Sequence, residues 1–262
     1  MRRPKLVRTA AAGLAAVVGG GSVGFALGRP AGTEGGTWQQ SLRLGGFSFQ
    51  HDNVLGTSLD LEVRATGPGD ALRCQEAVLA EIERLRAILS TYDPASEISR
   101  VAAGAPVSSA ELRELLAAYD AWSVRSGRVI DARLGGVLAL WREAARTGRL
   151  PDPAALRAAA GRADGLNVDA LGKGYIIDRA VELARRLVPA GLLNLGGDLR
   201  AWGDVDWTVG VAYPRHPAEN APPLARFTLR NAAVATSGDY ARPFVIAGRD
   251  YSHLIDRSEG VV

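Results

Sequence analysis

Residues 173–203 read KGYIIDRAVELARRLVPAGLLNLGGDLRAWG. The first half places Ile176, Ile177, Ala180, Leu183 and Leu187 at helical spacing and predicts an amphipathic helix with Lys173 at its start. The second half is an apolar run that enters Gly196-Gly197-Asp198, as a strand enters a turn. A helix feeding a strand and a Gly-Gly turn fits an α+β domain, provided the flanking elements agree.

They do. FSFQHDNVLGTSLDLEVRA (47–65) alternates apolar and polar residues and predicts strands. GDALRCQEAVLAEIERLRAILS (69–90) carries Leu72, Val78, Leu79, Ile82, Leu85, Ile88 and Leu89 at helical spacing, with Asp70 as expected cap. SSAELRELLAAYDAWSVRSG predicts a helix capped by Ser108 or Ser109 and stopped at Gly127, and PDPAALRAAAG a short one. Strand-like runs follow: WTVGVAY, ARFTLRNAAVATS and RPFVIAG. Helices lead and strands follow, unevenly interleaved, which favours α+β over a doubly wound sheet.

The chain has 262 residues, 47% hydrophobic, enough for a substantial core. Five of its 31 basic residues (Arg2, Arg3, Lys5, Arg8, Arg29) fall in the first 29 positions, where there is no Asp or Glu; the remainder holds 26 basic against 28 acidic residues. The basic excess is therefore no nucleic-acid surface. It belongs to a charged start followed by a mild Ala/Gly-rich run and Gly-Arg-Pro, the anatomy of an export signal. Arg2-Arg3 points to the twin-arginine route; a Sec signal and an uncleaved anchor associating with the membrane are the alternatives. The expected organisation is a signal or anchor over 1–29, a tether over 30–46 and one domain over 47–262, placed outside the cytoplasm or in a periplasm. Cys74 is the single cysteine, which excludes an internal disulfide and a Cys-based metal cluster.

Several stretches carry candidate chemistry. Lys173 is the only lysine after the leader, in a chain that otherwise uses Arg, and glycines flank it; either an ammonium is needed there or it is a surface lysine. Gly196-Gly197 offers backbone N–H groups to an anion, or makes an ordinary hairpin turn. Thr236-Ser237-Gly238 offers hydroxyls and amides to phosphate, or makes an ST turn. Tyr92, Asp93, Ser96, Glu97 and Ser99 follow a helix, with Tyr92 a lid for a planar ligand or Ser96 a simple cap. His253, with Asp256 beside it, suits a general base; His51 and His216 read as structural or solvated.

Seven stretches, taken in order, resemble the ApbE family of FAD:protein FMN transferases: LGTSLDLEV, STYDPASEISR, VIDARLGGVLALW, LNVDALGKGYIID, LLNLGGDLRAWG, VATSGDY and YSHLIDRSEG. The resemblance implies an α+β domain of mixed sheets and packed helices around an elongated flavin cleft. It implies FAD as substrate, Mg²⁺, and transfer of FMN to a Thr or Ser hydroxyl of an acceptor flavoprotein with release of AMP. By resemblance, Tyr92, Ser96, Glu97 and Asp131 border the cofactor, as do Lys173 and Asp178. Gly196, Gly197, Thr236, Ser237 and Gly238 lie along the ribityl chain and phosphates. His253 is the base with Asp256 beside it, and the Ala170 carbonyl is a metal ligand.

There are departures. Asn167-Val168-Asp169 stands where the family has Asp-Leu-Gly, Ala102 or Ala103 where it has Asn, and Asp256-Arg257-Ser258-Glu259-Gly260 where it has Asp-Pro-Arg-Thr-Gly. Family members continue for some tens of residues past that Gly with an Asp and a Ser or Thr for the metal. The chain is expected to lack that segment, with the remaining metal ligands beyond Val262. An exported FAD-binding protein without transfer and an FAD pyrophosphatase are the competing functions.

Overall fold

The computed structural model describes residues 44–162, 165–211, 222–236, 244–252, 254–256 and 260, together with the backbone of 14–18 and 237. In chain order these form β1 (Leu14–Val18), β2 (Gly45–Val54), β3 (Thr57–Ala65), α1 (Pro68–Leu89), α2 (Glu97–Ala102), α3 (Ala110–Arg125), α4 (Gly135–Thr147), α5 (Pro153–Arg162) and α6 (Asp169–Leu187). They continue as β4 (Ala190–Leu195), β5 (Asp198–Trp202), β6 (Trp207–Val211), β7 (Ala225–Leu229), β8 (Ala233–Ser237), β9 (Phe244–Ile246) and β10 (Arg249–Tyr251). The fold is α+β, as expected.

The main sheet runs β1-β8-β5-β4-β3-β2, antiparallel except where β1 lies parallel to β8. β4 sits within it, and all six of its residues are buried. That explains an apolar run in place of alternation: a strand covered on both faces has no polar side. Leu193 and Leu195 join Leu59, Leu61 and Val63 of β3 in the core under α1 and α6. Leu192 faces the other way, with Leu199, Ala201 and Val234, against the β6–β7 hairpin. Trp202 closes the end of the β4–β5 ladder opposite Gly191, where a Cβ would overlap its ring and lie 2.7 Å from the Glu62 carbonyl.

The helix stripes lie slightly off the expected ones. Helix α1 buries Ala71, Cys74, Val78, Ile82, Leu85 and Leu89, a stripe of threes and fours, and this leaves Leu72 half exposed. Asp70 is not its cap: the helix starts at Pro68 after Gly67, and Asp70 in the first turn pairs with Thr66 and Arg73. In α6, Leu187 is exposed and Val181 and Ala184 take the buried face. Ser109 caps α3 as predicted, accepting from the Leu112 N–H at 3.1 Å.

One boundary moves. Gly45 and Gly46, placed in the tether, already pair with Ala65 and Arg64. The stretch after Asp131 contains the 13-residue helix α4. Its Val137, Trp141 and Ala144 pack with Leu156, Ala159 and Ala160 of α5 and Ile246 of β9 into a separate apolar cluster.

Candidate functional site

The β4–β5 turn is a two-residue hairpin closed by the Leu195–Asp198 pair. Gly196 and Gly197 have φ of 55° and 88°, the double left-handed conformation that selects glycine at both places. A Cβ on Gly196 would also run into the Thr57 side chain. Both N–H groups, expected to face an anion, are spent inside the fold: Gly196 donates to the Ser58 carbonyl and Gly197 to Asn194 Oδ1, each at 3.0 Å. Any anion here meets side chains and the carbonyl edge of the turn before it meets free amides.

Those side chains converge from two directions. Lys173, on the second turn of α6 rather than at its start, donates from Nζ to the Gly196 carbonyl at 3.2 Å and pairs with Asp198 Oδ2 at 3.1 Å. Asp198 Oδ1 accepts the Thr236 N–H at 3.1 Å, which ties the end of β8 to the turn. An ammonium has three protons. Among the described residues two are committed, and the side chain stays one-third exposed, which leaves access for a ligand. Gly172 and Gly174 lie inside the helix, and a Cβ at Gly174 would meet open space. Lys173, Gly196, Gly197 and Thr236 are thus brought together, with Ser237 next along β8. Gly238 and His253 lie outside the described residues, as does His216.

The Tyr92 loop links α1 to α2. Ser96 caps α2: its Oγ accepts from the Ser99 N–H at 3.2 Å and donates to the Ser90 carbonyl at 2.7 Å. Glu97 Oε1 accepts the N–H groups of Ser108 and Ser109 at 2.7 and 2.8 Å. Burial raises the Glu97 pKa, but hydrogen bonds from Ser109 and Ser108 outweigh it and hold the carboxyl below its usual range. Ser96 and Glu97, expected beside the cofactor, therefore shape the loop. Tyr92 itself is 72% exposed, and the Arg142 guanidinium carbon lies 5.1 Å from its ring centre. The cation sits over one face of the ring, which leaves the other face for a planar ligand.

At the start of α6, Asn167 Oδ1 accepts the Asp169 N–H at 3.2 Å, and the buried Tyr119 hydroxyl accepts from Leu171 at 3.0 Å. Burial, the largest influence, pushes the Tyr119 pKa well up, so the phenol stays protonated. Asp131 Oδ1 accepts the Arg133 N–H at 2.9 Å, and the next residue, Ala132, accepts from the Asn167 N–H at 2.8 Å. Ala170 is the second residue of a helix, so its carbonyl has one lone pair directed to the N–H four residues on and one left over. The neighbouring Asp169 carboxylate is bonded by Asn167 Nδ2 at 2.9 Å. Among the described residues no group of three His, Cys, Asp or Glu side chains forms that could hold a metal. Mg²⁺ is commonly held by one or two carboxylates with substrate phosphates and water, a set to which the Ala170 carbonyl and the Asp169 carboxylate could contribute. Asp178 lies further along α6, paired with Arg200 Nε at 3.4 Å rather than with the turn.

Phe244, Tyr251 and Gly260 are held from α4. Trp141 Nε1 donates to the Gly260 carbonyl at 2.8 Å, and its ring packs on Phe244 (6.0 Å, 22°) and Tyr251 (5.7 Å, 40°). Tyr251 and Gly260 bracket His253 in the chain, so one indole grips both ends of that stretch. Asp256 is exposed, and its carbonyl accepts the Gly260 N–H at 2.8 Å. Trp141 was not singled out from the sequence; its spacing from Val137 and Ala144 is the signal that marks it as helical and buried.

Residues 55–261 match the model of the ApbE family. The chain belongs to the ApbE family. It is 27% identical over 250 residues to the FAD:protein FMN transferase of Treponema pallidum (strain Nichols), an alignment covering 79% of this chain and 68% of that protein. It is 27% identical over 186 residues to the FAD:protein FMN transferase of Klebsiella pneumoniae (strain 342), covering 63% of this chain and 58% of that one. The chain thus spans between half and three quarters of the length of these ApbE relatives. The crystal structure of the ApbE protein of Thermotoga maritima superposes with a TM-score of 0.72 at 25% identity, over 83% of this chain and 78% of that one. The apo flavinyl transferase ApbE of Pseudomonas stutzeri superposes at 0.66 with 24% identity, over 86% and 78%, a likeness of fold. The ApbE match begins just before the Thr57 and Ser58 contacts to the Gly196-Gly197 turn and takes in every side chain gathered there.

Proposed function

We propose that the chain transfers FMN from FAD to a Thr or Ser hydroxyl of an acceptor flavoprotein and releases AMP. The observation that carries this reading is the convergence of Lys173, Asp198 and Thr236 on the Gly196-Gly197 turn in an ApbE-family chain. The exposed part of the Lys173 ammonium and the Thr236 hydroxyl suit diphosphate oxygens, and Tyr92 suits the flavin ring. In the reaction the acceptor oxygen bonds to the phosphorus of the FMN half, and the bond from that phosphorus to the AMP oxygen breaks. AMP leaves with the electron pair, and a base takes the hydroxyl proton. His253 is that base by resemblance, with Asp256 beside it.

Mg²⁺, also implied by resemblance, would neutralise diphosphate charge. Each step above uses the chain's own groups. Export through residues 1–29 is part of the same proposal and places the acceptor outside the cytoplasm; fusing residues 1–46 to a reporter active only after export checks it.

The deciding experiment incubates the protein with FAD, Mg²⁺ and an acceptor domain bearing a reactive Thr, then reads acceptor mass and free AMP. The proposal expects an FMN adduct with AMP in equal amount. AMP and FMN without adduct would make the protein an FAD pyrophosphatase. Quenched FAD fluorescence without AMP would make it a flavin-binding protein.

A further inference from the structure

An exposed hairpin turn can leave its central N–H groups to water. The Gly197 N–H goes instead to a side chain only 4% exposed, Asn194 Oδ1. Every other residue of β4 is apolar or Gly, and a buried amide is costly unless paired. Its other end is paired: Asn194 Nδ2 donates at 2.8 Å to Asp60 Oδ2, directly opposite on β3. A carboxylate accepts and does not donate, so Asp60 faces only the NH₂ end and turns Oδ1 towards Gly197. The amide is oriented by the kind of partner, not by shape alone. Asn194 and Asp60 share the sheet face of Leu192 and Leu199, whereas Lys173 reaches the turn from the helix-covered face. The turn is gripped from both sides.

We propose that Asn194, oriented by Asp60, is a positioning residue that sets the conformation in which the Gly196-Gly197 turn meets the flavin diphosphate. It acts through the turn and does not touch the ligand; the ligand half of this inference rests on the function proposed above. Asn194→Leu removes both bonds at similar volume. Asp60→Asn keeps the shape but supplies a second NH₂, so the two amides compete for orientation.

The test measures amide exchange over residues 190–203, thermal melting, and affinities for FAD and for riboflavin, which lacks the diphosphate. In Asn194→Leu, turn exchange is expected to rise about tenfold and FAD affinity to fall about tenfold, with riboflavin affinity kept and melting still cooperative. Asp60→Asn, the milder variant should Asn194→Leu misfold, is expected to shift both in the same direction by less. Unchanged turn exchange in both variants overturns the proposal, and so does an equal fall for FAD and riboflavin. If the wild-type protein binds no FAD although the Asn194 variant loosens the turn, the flavin reading falls and takes the ligand half of the inference with it.

Discussion

Replacing Lys173 by Met removes a charge and keeps most of the volume, so it separates binding from packing. Two of the three ammonium protons serve Gly196 and Asp198, at 3.2 and 3.1 Å. The pair with Asp198 is one-third exposed on the lysine side, so solvent discounts it, and its loss is expected to cost about 1 kcal/mol of stability. For a domain of this size that lowers the melting temperature by about 2–4 °C. The third proton is the one a diphosphate would take. A hydrogen bond to a charged group is worth about 1.5–3 kcal/mol, so FAD affinity should fall by about ten- to a hundredfold. Riboflavin affinity should barely change, because it has no phosphate. The assay is fluorescence titration of both flavins, with a melt on the same sample. A Lys173→Met protein that melts as expected but binds FAD within about threefold of wild type would refute the placement of the diphosphate at this turn.

Three further outcomes follow from single residues. The folded Glu97 carboxyl titrates below its usual 4.5, so its stabilisation is fully present above that value and is lost as pH falls through the lower folded pKa; Glu97→Gln should flatten the acid limb of a pH–stability curve. Burial pushes the Cys74 thiol up to about 11, so thiol reagents at mildly alkaline pH should label it only after denaturant unfolds the chain. Trp141→Phe keeps a ring against Tyr251 and Phe244 but orphans the Gly260 carbonyl, at a cost of about 1–3 kcal/mol, which a denaturant melt should read as a lower midpoint.

Much of the fold was legible because burial leaves a period. The β2–β3 hairpin, α1, α3, α6 and the β4–β5 hairpin all follow apolar patterns, and Ser96 and Ser109 cap the helices predicted to follow them. Helix α4 was harder to read, because it begins on Gly135-Gly136, a pair that helices disfavour. Leu72 and Leu187 show the limit of periodicity. An apolar residue one step off the stripe looks like core in sequence, but the helix surface carries it 100° away from the sheet. In the site, residue type pointed to Lys173 and to the Gly pair. It did not reveal that the glycine N–H groups were already bonded, because that depends on Ser58 and Asn194, contacts that only the folded sheet brings into register.

The distribution of polar bonds separates two kinds of candidate residue. Ser96 and Glu97 have visible partners that a loop and two helix ends need whether or not a ligand ever binds. Asp198 is different. A hairpin turn does not require a carboxylate that holds a lysine from a helix on one oxygen and the backbone of a third strand on the other. That arrangement fixes α6, β5 and β8 against one another at one point, with the lysine side chain one-third exposed there. Asp198→Asn tests this reading, since an amide keeps the size but loses the charge. If the carboxylate serves to hold Lys173 for a phosphate, the variant should lose FAD affinity by about the same factor as Lys173→Met, and the double variant should lose little more than either. If instead the two single losses add in full, the residues act separately, and the turn is a structural joint beside a site that lies elsewhere.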